Sequence, residues 1–169
     1  MEFKNEDINI RIIGDRRRGI WANLVAPRNA RSTQTAGRIG TEASRHTLLA
    51  VALIAALRSI SRRTIEQLQA DPRKKLRIRV ATLDADFGPA MMALLKKQIS
   101  AAKIGKNFEH ELVRLLRKFD VQFVNADNGA LLALHNWANV HMFAENFIAA
   151  VPAAFRPVAA SQLTPSHQL

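Results

Sequence analysis

Polar and apolar residues alternate along Ile8 to Gly14 (INIRIIG), the period of a strand with one buried face. Asp15 and the run Arg16-Arg17-Arg18-Gly19 then read as a turn. Ile20 to Ala26 (IWANLVA) reads as a second strand, broken by Pro27. Ser32 to Ile39 (STQTAGRI) carries β-branched residues and reads as a third, more polar strand. The connections are too short for crossovers, so the three predict an antiparallel meander.

The pattern changes at Thr41 to Leu57 (TEASRHTLLAVALIAAL). Thr41 is a reasonable helix N-cap and Ser44 an alternative one, with Glu42 well placed for a first turn. From Thr47 to Leu57 the chain carries no charge. A helix that is apolar all round is buried all round. The run is too short to span a bilayer, which takes about 20 residues. It predicts a central helix between a sheet and other helices. Ile60, Ile65 and Leu68 keep the helical spacing as charges appear, so the helix is expected to continue until Asp71-Pro72 stops it.

Leu76 to Leu83 (LRIRVATL) alternates again and predicts a strand, followed by a loop from Asp84 to Pro89 and a helix from Ala90 to Ile99. A basic linker leads to a helix capped by Asn107 and running to Lys118, with Phe108, Leu112, Leu115 and Leu116 inward. Val121 to Val124 predicts a short strand, Asp127-Asn128-Gly129 a turn, and Ala130 to Ala149 a last helix. The order βββ-α-β-α-α-β-α predicts an α/β domain with a mixed five-stranded sheet flanked by helices. Its expected limits are residues 8–150, after an extension over 1–7 and before a flexible tail over 151–169.

Charge adds a partner class to this picture. Residues 11–118 hold 23 of the 25 Lys and Arg but 8 of the 14 acids, a local balance of +15 within a net charge of +11. Segregated positive charge of this size fits a polyanion, with nucleic acid ahead of a merely solvated basic surface. Arg16, Arg17, Arg18, Lys96, Lys97, Lys103 and Lys106 are the candidate phosphate contacts, together with Lys74 and Lys75. The chain has no cysteine, which excludes disulfides, thiolate metal sites and cysteine nucleophiles. It contains no G-x-S-x-G and no Gly-rich phosphate loop. No secretory signal or membrane span is evident, so an intracellular protein, cytoplasmic or nucleoid-associated, is expected. Trp21 and Trp137 read as core or half-buried residues. His135 and His141, six apart on one helix, do not make a ligand pair, which would need four.

Several stretches carry a resemblance. TEASRHTLLAVALIAAL is similar to the central helix of the ribonuclease H type 1 family, which opens on a polar turn with an acid and ends "ALxAL". RIRVATLDADFGPAMMALL is similar to that family's fourth strand, which ends in an Asp followed by a helix. KNFEHELVRLLRKFDVQFV resembles the stretch from its basic loop to its fifth strand, and HNWANVHM stands where it has its last catalytic turn. The resemblance covers residues 8–150 and implies a ribonuclease H-like fold. It also implies Mg²⁺-assisted hydrolysis of the RNA strand of an RNA–DNA hybrid, with four clustered carboxylates holding the ions.

Carried over one at a time, those carboxylates fall unevenly. Asp15 stands at the end of the first strand and Asp84 at the end of the fourth, with Asp86 as a neighbour. His46 occupies the position of the helix Glu, and Glu42 lies one turn earlier. Asn139 occupies the fourth position. The family's mobile His has Asp127 or Asn128 nearest. The resemblance implies that Lys96 to Lys106 corresponds to the family's basic handle, which grips the DNA backbone. Two carboxylates of four allow one metal on Asp15 and Asp84 and imply a nucleic-acid-binding domain whose hydrolysis is lost or impaired. The alternatives are an active Mg²⁺ nuclease using Asp15, Glu42, Asp84 and either Asp86 or Asp127, and an assembly protein docking an acidic partner or a ribonucleoprotein.

Overall fold

A computed structural model describes residues 6–97, 104–125 and 128–150, with side chains omitted for Asn128 and residues 143–150. The expected tail, Lys103 and Asp127 lie outside the described residues. The strands are β1 (Ile8–Asp15), β2 (Ile20–Pro27), β3 (Thr33–Arg38), β4 (Arg77–Thr82) and β5 (Asp120–Asn125). They form one sheet in the order β3-β2-β1-β4-β5. The first three strands pair antiparallel, as the meander requires, while β4 pairs parallel to both β1 and β5. This is the expected mixed five-stranded sheet. β3 is an edge strand, in keeping with its polar sequence.

Helices cover both faces. On one face Ile8, Ile10, Ile12, Ile78 and Val80 pack with Leu49 and Leu53 of α1 (Arg45–Ser59), Phe87 and Met91 of α3 (Phe87–Leu95), and Leu112 and Leu116 of α4 (Lys106–Leu116). On the other, Ile13, Ile20 and Ala22 pack with Leu131, Leu134, Trp137 and Ala138 of α5 (Asn128–Ala150). Adjacent Ile12 and Ile13 point to opposite faces because side chains alternate along a strand. α1 is the buried central helix that its charge-free run predicts. Ala50, Ala52 and Ala56 in α1 are wholly buried, and buried Asn23 donates from Nδ2 to the Ala52 carbonyl at 2.9 Å, tying β2 to the helix. Trp21 is half-buried and lies over Gly37 of β3, where a Cβ would come within 2.4 Å of the indole.

Several boundaries differ from expectation; Asn128 and Gly129, expected in a turn, already belong to α5. Of the two N-caps expected for α1, Ser44 rather than Thr41 is the one used: it is extended and its hydroxyl accepts the Thr47 N–H at 3.1 Å, so the helix starts at Arg45. Glu42 is therefore left exposed in a turn outside the helix. The long helix is also two helices. Ile60 and Ser61 are extended, and Ser61 accepts the Thr64 N–H to open α2 (Arg62–Leu68). α3 starts at Phe87 because the Asp84 carboxylate accepts the N–H groups of Asp86 and Phe87. α4 starts at Lys106 after Gly105, not at Asn107, and Phe108 stands exposed at the rim of a groove with Trp21, Val51 and Ile54. Among the described residues no helix is long and apolar enough to cross a membrane.

Removal of the second cap has a measurable consequence. Ser61→Ala is expected to lower stability by about 1 kcal/mol, since it orphans a helix N–H. The loss should read in urea unfolding, with amide exchange rising across Arg62 to Leu68 while α1 stays protected. Unchanged exchange in α2 would show that tertiary packing alone holds it.

Candidate functional site

Parallel pairing brings the carboxyl ends of β1 and β4 to one edge of the sheet, with register from Ile8 opposite Ile78 to Arg11 opposite Ala81. Asp15 ends β1, and Asp84 lies two residues beyond β4. The start of α1 meets the same edge. A Cβ on Gly14 would lie 2.9 Å from Leu48 Cβ and 3.5 Å from the Arg45 carbonyl oxygen, so the missing side chain lets strand and helix approach. From the other face α5 supplies His135 and Asn139, one helical turn apart.

The β1–β2 turn is built around Asp15. Its Oδ1 accepts the N–H groups of Arg17 at 3.0 Å and Arg18 at 3.3 Å, an Asx turn that projects the arginine run. The turn closes through Gly19, at a φ of +65° that favours glycine. The other carboxylate oxygen, Oδ2, lies 2.7 Å from His135 Nε2. Burial pushes the Asp15 carboxyl upward. The His135 hydrogen bond, the two backbone donors and the imidazole charge together outweigh it and hold the group below its ordinary value of 3.8.

That shift has a sign. The unfolded chain takes the proton more readily, so the stability Asp15 contributes is complete above its ordinary value and drains as pH falls through the lower folded one. Asp15→Asn should therefore flatten the acid limb of stability between about pH 2 and 5. Urea midpoints across that range check it, and parallel curves for the two proteins would contradict it.

Asn139 links the turn to α5. Its Nδ2 donates to the His135 carbonyl at 3.1 Å, and its Oδ1 accepts from Arg18 Nη1 at 2.5 Å. Asp84 has a different set of neighbours. Beyond capping α3, its Oδ2 lies 3.8 Å from His46 Nε2 and 3.9 Å from Arg45 Nη1. The His46 ring also meets Phe87 edge-on at 5.7 Å.

A cleft of about 800 Å³ opens at this edge, lined by Asp15, Arg16, Arg17, Arg18, Arg45, Leu83, Leu131 and His135 among others. Arg45 belongs to both groups, since it lines the cleft and faces Asp84. The structure thus brings Asp15 and Asn139 together through His135 and Arg18, and Asp84 together with His46. Glu42 and Asp86 are exposed, and neither lines the cleft. Lys96 and Lys97 follow α3 and Lys106 opens α4; none of the three lines it.

Two site residues escape the sequence reading, His135 and Arg45. His135 precedes Asn139 by four, the spacing of one helix face, and that signal was present. Arg45 carried none, because only the fold shows that α1 begins against the end of β1.

The donor set does not fit a two-Mg²⁺ centre, which needs several oxygen ligands per ion. Asp15 commits one oxygen to two backbone N–H groups and the other to His135. Asp84 commits one oxygen to two N–H groups and turns the other to Arg45 and His46. The remaining two expected positions carry an imidazole and an amide. Among the described residues no three His, Asp or Glu side chains are grouped to hold an ion.

No family model matches the chain, and no curated protein matches it. Solved structures do. The structure is similar to that of ribonuclease H1 from the halophilic archaeon Halobacterium salinarum, with 16% identity, 78% of this chain and 96% of that chain covered, and a TM-score of 0.52. It is also similar to LC11 ribonuclease H1 in complex with an RNA/DNA hybrid, with 15% identity, 73% and 87% coverage, and a TM-score of 0.52. The chain has the ribonuclease H-like fold that the resemblance implies.

Proposed function

We propose that this domain binds the backbone of a nucleic acid, an RNA–DNA hybrid or a duplex, in the cleft at the carboxyl end of β1, with two-metal hydrolysis lost or impaired. The observation that carries the reading is the cleft's lining, which among the described residues sets four arginines and a histidine against one carboxylate, itself paired with that histidine. Guanidinium groups match phosphate oxygens in geometry and charge. The shared fold with a protein solved on an RNA/DNA hybrid supports the choice of ligand class. Lys96, Lys97 and Lys106 belong to the segment that would correspond to the basic handle, and we assign them a second backbone contact. The domain is the part of the chain over residues 8–150, and an intracellular location with access to nucleic acid follows from this reading.

Fluorescence anisotropy with a labelled hybrid, an RNA duplex and a DNA duplex tests it. Binding should be detectable at low salt and should weaken when Arg16, Arg18 and Arg45 are replaced together by Ala. Absence of binding at low salt would leave the assembly-protein alternative standing. Incubation of the hybrid with Mg²⁺ or Mn²⁺ tests the second half. Cleavage that disappears in Asp84→Asn would establish an active nuclease.

A further inference from the structure

The misfit between the site and a pair of metal ions has a physical counterpart on the cationic side. At two of the four positions where the resemblance expects carboxylates, the chain places an imidazole and an amide, and an arginine stands near each. Asn139 holds Arg18, and His46 shares Asp84 with Arg45. The identity of residue 139 matters. A carboxylate there would hold Arg18 equally well but cancel its charge. The amide oxygen accepts one N–H and leaves the charge intact, with the other guanidinium donors unspent. Among the described residues Asp15 is the one acid lining the cleft, and its carboxylate faces His135. Asp84, outside that lining, lies 3.9 Å from Arg45 and offsets part of its charge, while Arg18 keeps its own.

We propose that Arg18 and Arg45 do in this cleft what divalent cations do in a carboxylate-built one. The two guanidinium groups clamp a phosphodiester, and binding there needs no metal ion. This rests on the nucleic-acid reading above and adds the chemistry of the contact. Guanidinium groups present paired donors to phosphate oxygens, a stronger and more directional contact than a lysine patch. Arg18 is held by its hydrogen bond to Asn139, while Arg45 is exposed and reaches out from the start of α1. The same positive charge disfavours a free Mg²⁺ ion entering the cleft, because like charges repel. Asn139 is then a positioning residue: it orients Arg18 without neutralising it.

The test measures hybrid affinity by anisotropy at one fixed ionic strength, once in EDTA and once in millimolar Mg²⁺. The expected result is binding in EDTA at least as tight as in Mg²⁺, because phosphate contacts by Arg need no bound ion and Mg²⁺ competes with them for the phosphates. Arg18→Ala should weaken binding about tenfold, as loss of a close charge contact does. Asn139→Asp should weaken it to a similar extent, and Asn139→Ala by less, because Ala removes the hold but keeps the charge. Melting curves of each variant establish that it is folded. Binding that EDTA abolishes and Mg²⁺ restores would overturn the proposal and leave the nucleic-acid reading intact. So would Asn139→Asp binding as tightly as the unaltered protein. Binding absent in both buffers would remove the nucleic-acid reading as well. A titration with Mn²⁺ followed by NMR gives a readout independent of nucleic acid. The Asp15 and Asp84 amides should stay sharp, and selective broadening at sub-stoichiometric Mn²⁺ would overturn the proposal.

Discussion

Leu53→Ala is expected to lower the unfolding free energy by about 2–5 kcal/mol, toward the upper end of that range. Leu53 is 0% exposed and sits on the face of α1 packed against the sheet. The cost of such a truncation depends on how far the surroundings can collapse into the space. Here the neighbouring positions in α1 include Ala50, Ala52 and Ala56, too short to refill it. The backbone is held as well, since the Ala52 carbonyl is bonded to buried Asn23. Domains of this kind have about 5–15 kcal/mol in total, so the loss is a large share. Val51→Ala, at a half-buried position of the same helix, should cost less. Urea unfolding followed by far-UV circular dichroism compares the two. A Leu53→Ala loss under about 1 kcal/mol would mean that α1 is not the centre of the core.

The buried helix and the strands were legible because their signals are periodic and local. Alternation in INIRIIG and LRIRVATL fixes which face of each strand is buried, and the charge-free run fixes α1. Helix starts were less legible because several capping residues compete within a few positions. One local signal does mark both starts: Ser44-Arg45-His46-Thr47 and Ser61-Arg62-Arg63-Thr64 share one pattern. In both, the Ser hydroxyl accepts the Thr N–H and lies 2.9 Å from the Thr hydroxyl. The second copy marked a new helix where continuation was expected.

Site residues divide in the same way. Asp15 and Asp84 were legible as acids at the ends of strands, and the parallel pairing of β1 with β4 places them on one edge. Their partners come from distant chain segments: His135 is 120 residues from Asp15, and Asn139 is 121 from Arg18. No local pattern reports such pairs. The arginine run was visible as charge, but its direction depends on the Asx turn and on Gly19. A Cβ on Gly19 would lie 2.2 Å from the Gly40 carbonyl carbon, so the turn leading into β2 is locked against the chain leading into α1.

That fixed placement gives the cleft a countable charge and leads to the second large effect. Neutralising phosphates with Z cationic side chains releases counterions, and log affinity falls with log salt at a slope of about −0.9Z on B-form DNA. The four cleft arginines alone predict a slope of about −3.6. Raising salt from about 50 to 200 mM should then weaken duplex binding about 10²-fold. Each single Arg→Ala in the cleft should make the slope shallower by about 1. If Lys96, Lys97 and Lys106 also touch the backbone, seven contacts predict a slope of about −6, and the same salt step costs closer to 10⁴-fold. The slope therefore reports how much of the basic surface a duplex covers. A value near −3.6 confines binding to the edge of β1, and one near −6 extends it to the ends of α3 and α4. A slope near zero would mean that phosphate neutralisation is not the source of affinity, and would refute the backbone-binding reading whatever the affinity measured.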